Sequence, residues 1–314
     1  MKPYRISGCG SRILEPKAPI ESRNSFTLSL AEAVNSATIQ LSAAGIANAR
    51  LDAEVLLSYV LKKNRVWLIT HRDDRLDDPS SAMFRSALER RAKREPLQYI
   101  IGSQEFWGLE FMVTPAVLIP RPETEFIIEA ALAIREDRTR PVRIIDLCTG
   151  SGCIAISLAK ELPGAHVLAA DKSAQALIIA QQNAANHGVS DRISFFQGDL
   201  FEPLEKHDMT DQADLIVSNP PYVRTGELTT LQPEVREFEP EMALLAGPEG
   251  TELAERIIKS APKYLKKNGA LIMEMGLGQA EALRNIAGKT GAYAVPEIIK
   301  DLAGIERVFV VRKA

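Results

Sequence analysis

Only three cysteines, Cys9, Cys148 and Cys153, occur in 314 residues, too few and too unevenly placed for a disulfide framework. Cys148 and Cys153 flank a glycine loop and read as small packing residues of a reducing compartment. No uninterrupted apolar run approaches the roughly 20 residues of a membrane span. The opening stretch, MKPYRISGCGSRILEPKAP, lacks the apolar segment of a signal peptide. A cytoplasmic, non-membrane protein is the expectation. An excess of basic charge is missing too. Lys and Arg number 38 against 41 Asp and Glu, a net charge of −3, whereas DNA-binding proteins draw most of their affinity from neutralising phosphates. Stable nucleic-acid binding is thereby disfavoured. The four histidines, His71, His166, His187 and His207, show no metal-ligand spacing with each other or with cysteine. A G-x-S-x-G nucleophile elbow is absent as well. Metalloenzyme and hydrolase readings fall away, and no metal is expected.

What is present is enough chain for one large and one small domain, each with a real core. Residues 1–25 mix Pro, Gly, Ser and charge without period and read as a loose extension. Residues 26–100 turn helical, with apolar spacing through LSLAEAVNSATIQLSAAGI, LDAEVLLSYVLKK and SSAMFRSALERRAKRE. The last of these carries a basic cluster, Arg90, Arg91, Lys93 and Arg94, read as a solvated helix face. A docking surface for an acidic or RNA-containing partner is the other reading. Residues 101–120 have strand-like content around a Trp107-Gly108 turn signal, a β-hairpin linking two domains. Residues 121–314 begin with RPETE and the helix FIIEAALAI, then alternate strand and helix. RIIDLC, AHVLAAD, RISFFQGD, ADLIVSN, ALIMEMG, YAVPEII and RVFVVRK are the strands. The intervening helices include TELAERIIKSAPKYLKKNG and GQAEALRNIAG. The fold class is α/β, a mostly parallel sheet with helices on both faces. Ligands bind such sheets outside the carboxyl ends of the strands, where strand order reverses.

The first of these strands ends in Asp146-Leu-Cys148-Thr149-Gly150-Ser151-Gly152 and runs into a helix. The two glycines allow a tight turn and close approach to a ligand. Asp171 closes the next strand, 21 residues after Gly150, where a carboxylate can accept both ribose hydroxyls of an adenosine. A dinucleotide site has similar spacing, as does a structural βα turn with no ligand, and Asp146 helps decide between them. A carboxylate at the root of the loop would repel a pyrophosphate. S-adenosylmethionine has no phosphate and carries an ammonium and a sulfonium, so an aspartate there is favourable. Asp199 and Leu200, after the third strand, would flank the adenine; a plain Gly-Asp turn is the competing reading.

The fourth strand delivers Asn219-Pro220-Pro221-Tyr222 to the same sheet edge. An amide or exocyclic amino nitrogen is a poor nucleophile, because its lone pair is delocalised. Two acceptors converging on its N–H bonds would aim that lone pair: the Asn219 side-chain carbonyl and the Pro220 backbone carbonyl. Consecutive prolines stiffen the loop so that the acceptors are pre-placed, and Tyr222 can stack on the flat group. The acceptor can be a glutamine amide or an adenine. The following segment, VRTGELTTLQPEVREFEPE, is acidic and would repel a phosphate backbone.

With these residues in view, the sequence resembles the HemK/PrmC family of release-factor glutamine methyltransferases. The likeness rests on LDAEVLL, EPLQYIIGSQEFWGLEF, VLIPRPETE, DLCTGSGCIAI, NPPYV, EVREFEPEMAL and RVFVVRK. NPPY alone is shared with DNA adenine methyltransferases, and DLCTGSGCIA with sister enzymes acting on a ribosomal protein; those sisters typically lack PETE. The resemblance implies a helical substrate-docking domain joined by a hairpin to a class I, Rossmann-like S-adenosylmethionine-dependent methyltransferase domain. It implies methylation of the glutamine N5 in the Gly-Gly-Gln tripeptide of peptide-chain release factors. Cys148 to Gly152, Asp171, Leu200 and Asn219 would then line the cofactor site, and Asn219 to Tyr222 would hold the glutamine amide. Arg121, Pro122 and Thr124 would border the entrance. Many members carry glycine at the position of Cys148 and an aromatic at that of Leu200.

Overall fold

In this computed structural model the described residues are 28–135, 137–207 and 209–314; the extension read over residues 1–25, with Cys9, lies outside them. Ser29 starts the first helix with a capping box, its hydroxyl accepting from the Glu32 amide while Glu32 accepts from the Ser29 amide. Five helices follow in the N-terminal part: α1 (Leu30–Ala43), α2 (Ala49–Leu61), α3 (Arg65–Thr70), α4 (Asp78–Ala92) and α5 (Leu97–Ile101). Their apolar faces meet in a core of their own around Leu41, Leu56, Leu57, Phe84 and Leu88. The three helical stretches read from the sequence are α1, α2 and α4. The 6-residue α3 and 5-residue α5 are too short to display an apolar period.

The hairpin forms from β1 (Ser103–Phe106) and β2 (Leu109–Met112). Trp107 and Gly108 turn it with φ of 54° and 68°, the left-handed pair that matches the twist of the flanking strands. The Trp107 amide donates to Glu125 at 2.8 Å and its indole to Glu161 at 3.0 Å, pinning the turn. Phe106 and Phe111 sink into the main core.

Then come α6 (Glu125–Ile134), β3 (Val142–Leu147), α7 (Cys153–Glu161), β4 (Ala165–Asp171), α8 (Ala174–Asn186), β5 (Ile193–Gln197) and β6 (Ala213–Ser218). They are followed by β7 (Val223–Arg224), α9 (Pro233–Phe238), β8 (Leu245–Gly247), α10 (Glu252–Tyr264) and β9 (Leu265–Glu274). The chain closes with α11 (Ala280–Thr290), β10 (Glu297–Lys300) and β11 (Glu306–Arg312). The main sheet has the order β10-β11-β9-β6-β3-β4-β5. It is parallel from β9 to β5, with β11 antiparallel to both neighbours. Ile144 and Ile145 show the period-two logic: one joins the core on one face, the next the core on the other.

Three details depart from the sequence reading. The helix expected over TELAERIIKSAPKYLKKNG stops at Tyr264. Pro262 lies inside it, leaving the Ile258 carbonyl to accept from the Tyr293 hydroxyl, and the chain turns extended at Leu265 to open β9, passing Asn268 at φ 64°. YAVPEII is strand only from Glu297, although Tyr293 forms an isolated bridge to Lys313. A small parallel pair, β7 with β8, carried no signal.

From β3 the chain moves through β4 and β5 to one edge, then returns to β6 on the other flank of β3. Strand order therefore reverses between β3 and β6, where Leu147 pairs with Ser218. The crevice at their carboxyl ends is where such sheets bind ligands.

Candidate active site

The loop after β3 needs left-handed backbone three times in five residues: Cys148 at φ 58°, Gly150 at 55° and Gly152 at 82°. At Gly152 a side chain would also collide, since a Cβ would stand 3.0 Å from Ile156 and 3.2 Å from Ala180. The glycine lets α7 pack on α8. Asp171 ties the loop to β4: Oδ2 accepts from the Gly150 amide at 2.9 Å and Oδ1 from the Ser173 amide at 2.8 Å. Burial pushes its carboxyl above the usual range despite those bonds. Asp146 lies fully buried beneath the loop. Its Oδ2 accepts from the Thr149 hydroxyl at 2.6 Å, while Oδ1 has no well-formed hydrogen bond among the described residues; the nearby Ala155 amide favours the charged form of the carboxyl. Burial raises this carboxyl to about 7. Burial also pushes the Cys153 thiol up to about 12 and the Cys148 thiol upward, so neither serves as a thiolate nucleophile at neutral pH.

Above this loop opens a cavity of about 510 Å³, within the size range of small-molecule sites. Of the residues singled out from sequence, Arg121, Thr124, Cys148, Thr149, Gly150, Ser151, Asp171, Asp199, Leu200, Asn219 and Pro221 line it. Pro122, Asp146, Gly152, Pro220 and Tyr222 are not part of that lining. Asp146 sits under the floor, Gly152 at the helix start, and the Tyr222 hydroxyl turns away to donate to Glu274 Oε1 at 3.3 Å. Asp199 also has a partner already, accepting from Arg256 at 2.9 Å.

Several wall residues were not singled out from the sequence, although some fall within the quoted VLIPRPETE and EVREFEPEMAL stretches. Val117 and Leu118 come from the segment after the hairpin, Met242 and Leu245 from the segment after α9, and Arg256 from α10. The most consequential omission is Glu274, at the end of β9 and 2% exposed. Its Oε2 accepts from the Thr124 hydroxyl at 2.6 Å, and Thr124 Oγ1 accepts from Asn219 Nδ2 at 2.9 Å. Burial raises the Glu274 carboxyl to about 7. An acid closing the apolar run ALIM was the available clue.

The charged segments need correction. Arg91 is buried, not solvated: it donates to Asp52 at 2.8 Å, to the Glu95 carbonyl at 3.1 Å and to Glu234 at 3.1 Å. Arg94 donates to the other Glu234 oxygen at 2.6 Å and to the Gly45 carbonyl at 2.6 Å, and Arg90 pairs with Glu95. The cluster works mainly as a clamp, because burying one arginine demands that its donors be used. The acidic segment is likewise less negative than it reads. Glu227, Glu234, Glu237 and Glu239 each have an arginine partner, with Arg121 only 2.5 Å from Glu239.

The site residues fit S-adenosylmethionine. Asp171 offers acceptors beside the glycine turn, Leu200 and Leu253 offer an apolar wall, and Asp146 holds a buried carboxyl below. Among the described residues no group of three or more His, Cys, Asp or Glu is placed to hold a metal ion.

Residues 32–102 match the family described as PrmC N-terminal domain, and residues 128–235 match the one described as Methyltransferase small domain. The release factor glutamine methyltransferase of Geobacter sulfurreducens is 47% identical, over 84% of this chain and 89% of its own length. That of Moorella thermoacetica is 40% identical over 90% of this chain and 98% of its own. The chain belongs to the release factor glutamine methyltransferase family. A solved structure of the Thermus thermophilus 16S rRNA N2 G1207 methyltransferase, with AdoMet and guanosine, superposes at a TM-score of 0.50 and 17% identity. It covers 68% of this chain and 50% of that one, a likeness of fold alone. In this family's chain, then, Cys148 to Ser151, Asp171, Asn219 and Pro221 meet on one cavity at the carboxyl edge of a class I methyltransferase sheet.

Proposed function

We propose that this protein transfers a methyl group from S-adenosyl-L-methionine to the side-chain amide nitrogen of a glutamine in peptide-chain release factors, the glutamine of a Gly-Gly-Gln tripeptide. The observation that carries the reading is Asn219 on the cavity wall, its Nδ2 already engaged by Thr124 and its Oδ1 left for an incoming N–H. The cofactor supplies an electrophilic methyl on a sulfonium. The chain's own residues do the rest. Asn219 Oδ1 and the Pro220 carbonyl accept from the two N–H bonds of the glutamine amide, turning its lone pair out of conjugation and toward the methyl. As the N–C bond forms the S–C bond breaks, and the nitrogen then loses a proton to solvent. No general base is needed beforehand. Asp171 holds the cofactor's ribose, and Leu200 packs on its adenine.

A glutamine flanked by glycines enters a narrow pocket at little steric cost, whereas a flipped adenine costs unstacking energy that basic contacts must recover. We read the five N-terminal helices as the docking domain for the release factor and the cytoplasm as the site of action. Among the described residues no helix is long and apolar enough to cross a membrane.

The test is mass spectrometry of release factor incubated with the protein and labelled cofactor. Label is expected on the Gly-Gly-Gln glutamine and is expected to vanish when that glutamine is replaced. Robust methylation of adenine with none on release factor overturns the reading. Asn219→Ala should lower turnover far more than it weakens cofactor binding, and Asp171→Ala should do the reverse.

A further inference from the structure

Asn219 serves the reaction in only one of its two carboxamide orientations, with Oδ1 and not Nδ2 facing the acceptor amide. Nothing in the Asn-Pro-Pro-Tyr sequence selects that orientation. The selection comes from outside the motif. Thr124 Oγ1 stands 2.6 Å from Glu274 Oε2 and 2.9 Å from Asn219 Nδ2. A threonine hydroxyl has one proton to give. Given to Glu274, it leaves only lone pairs facing Asn219, which must answer with its own N–H. Glu274 Oε1 meanwhile accepts from the Tyr222 hydroxyl. Both carboxylate oxygens are therefore acceptors, a pattern that a glutamine, with one oxygen and one NH₂, cannot reproduce.

We infer that Glu274 is a positioning residue: through Thr124 it locks Asn219 with Oδ1 toward the substrate amide, and through Tyr222 it anchors the far end of the same loop. Burying an acid at the end of an apolar strand is costly unless its hydrogen bonds are used, and here they join the two ends of the element that grips the acceptor. Besides Thr124 and Tyr222, the carboxyl feels Glu123, which favours protonation, and Arg307, which opposes it. A proton on Oε2 would turn it into a donor toward Thr124. The hydroxyl could then donate to Asn219 and reverse the amide.

This role rests on the glutamine-methylating reading, and the experiment separates the two. Turnover on release factor, cofactor affinity and the pH profile of kcat are measured for wild type, Glu274→Gln, Thr124→Val and Thr124→Ser. Thr124→Val and Glu274→Gln are expected to lose kcat by about 100-fold, the scale of a misplaced reacting group, at unchanged cofactor affinity. Thr124→Ser, which keeps the hydroxyl, is expected to recover most of the loss. The acidic limb of kcat due to Glu274 is expected to disappear in Thr124→Val. Wild-type turnover by Thr124→Val, or equal impairment of Thr124→Ser and Thr124→Val, overturns the relay. Should Glu274→Gln fail to fold, the two Thr124 variants decide alone. A wild-type protein that methylates adenine instead overturns the substrate reading, and the same variants then test the relay on that acceptor.

Discussion

Arg91 Nη1 and Nη2 both reach Glu234 Oε1 at 3.1 Å, although the two residues lie 143 positions apart. The same guanidinium holds Asp52 through Nε at 2.8 Å, so one side chain joins α4, α2 and α9. Five residues beyond Glu234, Glu239 is clasped by Arg121 and accepts from the Ile119 amide. The helix α9, which leads into one cavity wall, is thus fastened at its start to the N-terminal helices and just past its end to the connection before α6.

The two ends of the Arg91 pair differ in what they leave behind. Arg91→Ala strands buried Asp52 without its cation and should cost about 3–5 kcal/mol, the range for breaking a buried pair from one side. Glu234→Ala leaves Arg91 with Asp52 and the Glu95 carbonyl, and Arg94 with the Gly45 carbonyl. Its cost should be nearer 1 kcal/mol, with a raised KM for release factor. Urea unfolding of both variants measures this; equal losses would contradict the clamp.

Cys148 holds a left-handed backbone conformation at φ 58°. For a residue with a Cβ that conformation costs roughly 1–2 kcal/mol, and glycine escapes it. Cys148→Gly should therefore be more stable than Cys148→Ala by about 1 kcal/mol, even though alanine retains more of the side chain. The two thermal midpoints, compared without cofactor, check it. A more stable alanine variant would show that packing against the thiol outweighs the strain.

The same loop shows how far the sequence could be read. Glycines at 150 and 152 and acids at 146 and 171 were legible as a tight turn with two carboxylates at the sheet's carboxyl edge, because backbone freedom and charge are written locally in residue type. The alternation of strands gave the sheet, since burial on both faces leaves runs such as RIIDL. Glu274 was legible only as an acid closing an apolar run: its partner Thr124 lies 150 positions away, and only the reversal of strand order between β3 and β6 brings the ends of β9, β6 and the PETE segment together. Arg91 failed for the same reason. Amphipathic spacing tells which face of a helix is apolar, not that an arginine on α4 meets acids from two other elements. The end of α10 at Tyr264, two residues past Pro262, was overridden by the apolar period read on through KKNG.

Arg256 and Asp199 make a partly exposed pair at 2.9 Å. Exposed pairs contribute only about 0–1 kcal/mol, so Arg256→Ala should scarcely change folding stability. If Asp199 accepts from the adenine amino group, Asp199→Ala weakens cofactor binding while Arg256→Ala leaves it near wild type. Calorimetric titration of both distinguishes this from a wall built by Arg256 itself, for which Arg256→Ala would be the more damaging change.

The pH dependence should run opposite to that of a chain stabilised by ion-paired carboxylates. Asp146 and Glu274 are held by burial at about 7 in the fold, but ionise near pH 4 in an unfolded chain. Between those values the unfolded chain has released protons that the folded chain still holds. The contribution of Asp146 and Glu274 to stability therefore falls as pH rises from about 4 to about 7 and levels off above. Asp171 and Glu239, also raised by burial, act in the same direction. Asp146→Asn and Glu274→Gln should each flatten part of the slope in urea midpoints measured without cofactor. Cofactor binding should show the converse. If the carboxylate of Asp146, buried beneath the glycine loop, favours the cationic end of S-adenosylmethionine through the loop, binding favours the ionised carboxyl and releases a proton below about pH 7. Affinity then strengthens as pH rises toward neutrality and becomes constant beyond it. Titration calorimetry in two buffers of different ionisation enthalpy counts the proton, and Asp146→Asn should abolish its release. An affinity that stays constant across the acidic range in the wild type would place the cofactor's charge elsewhere.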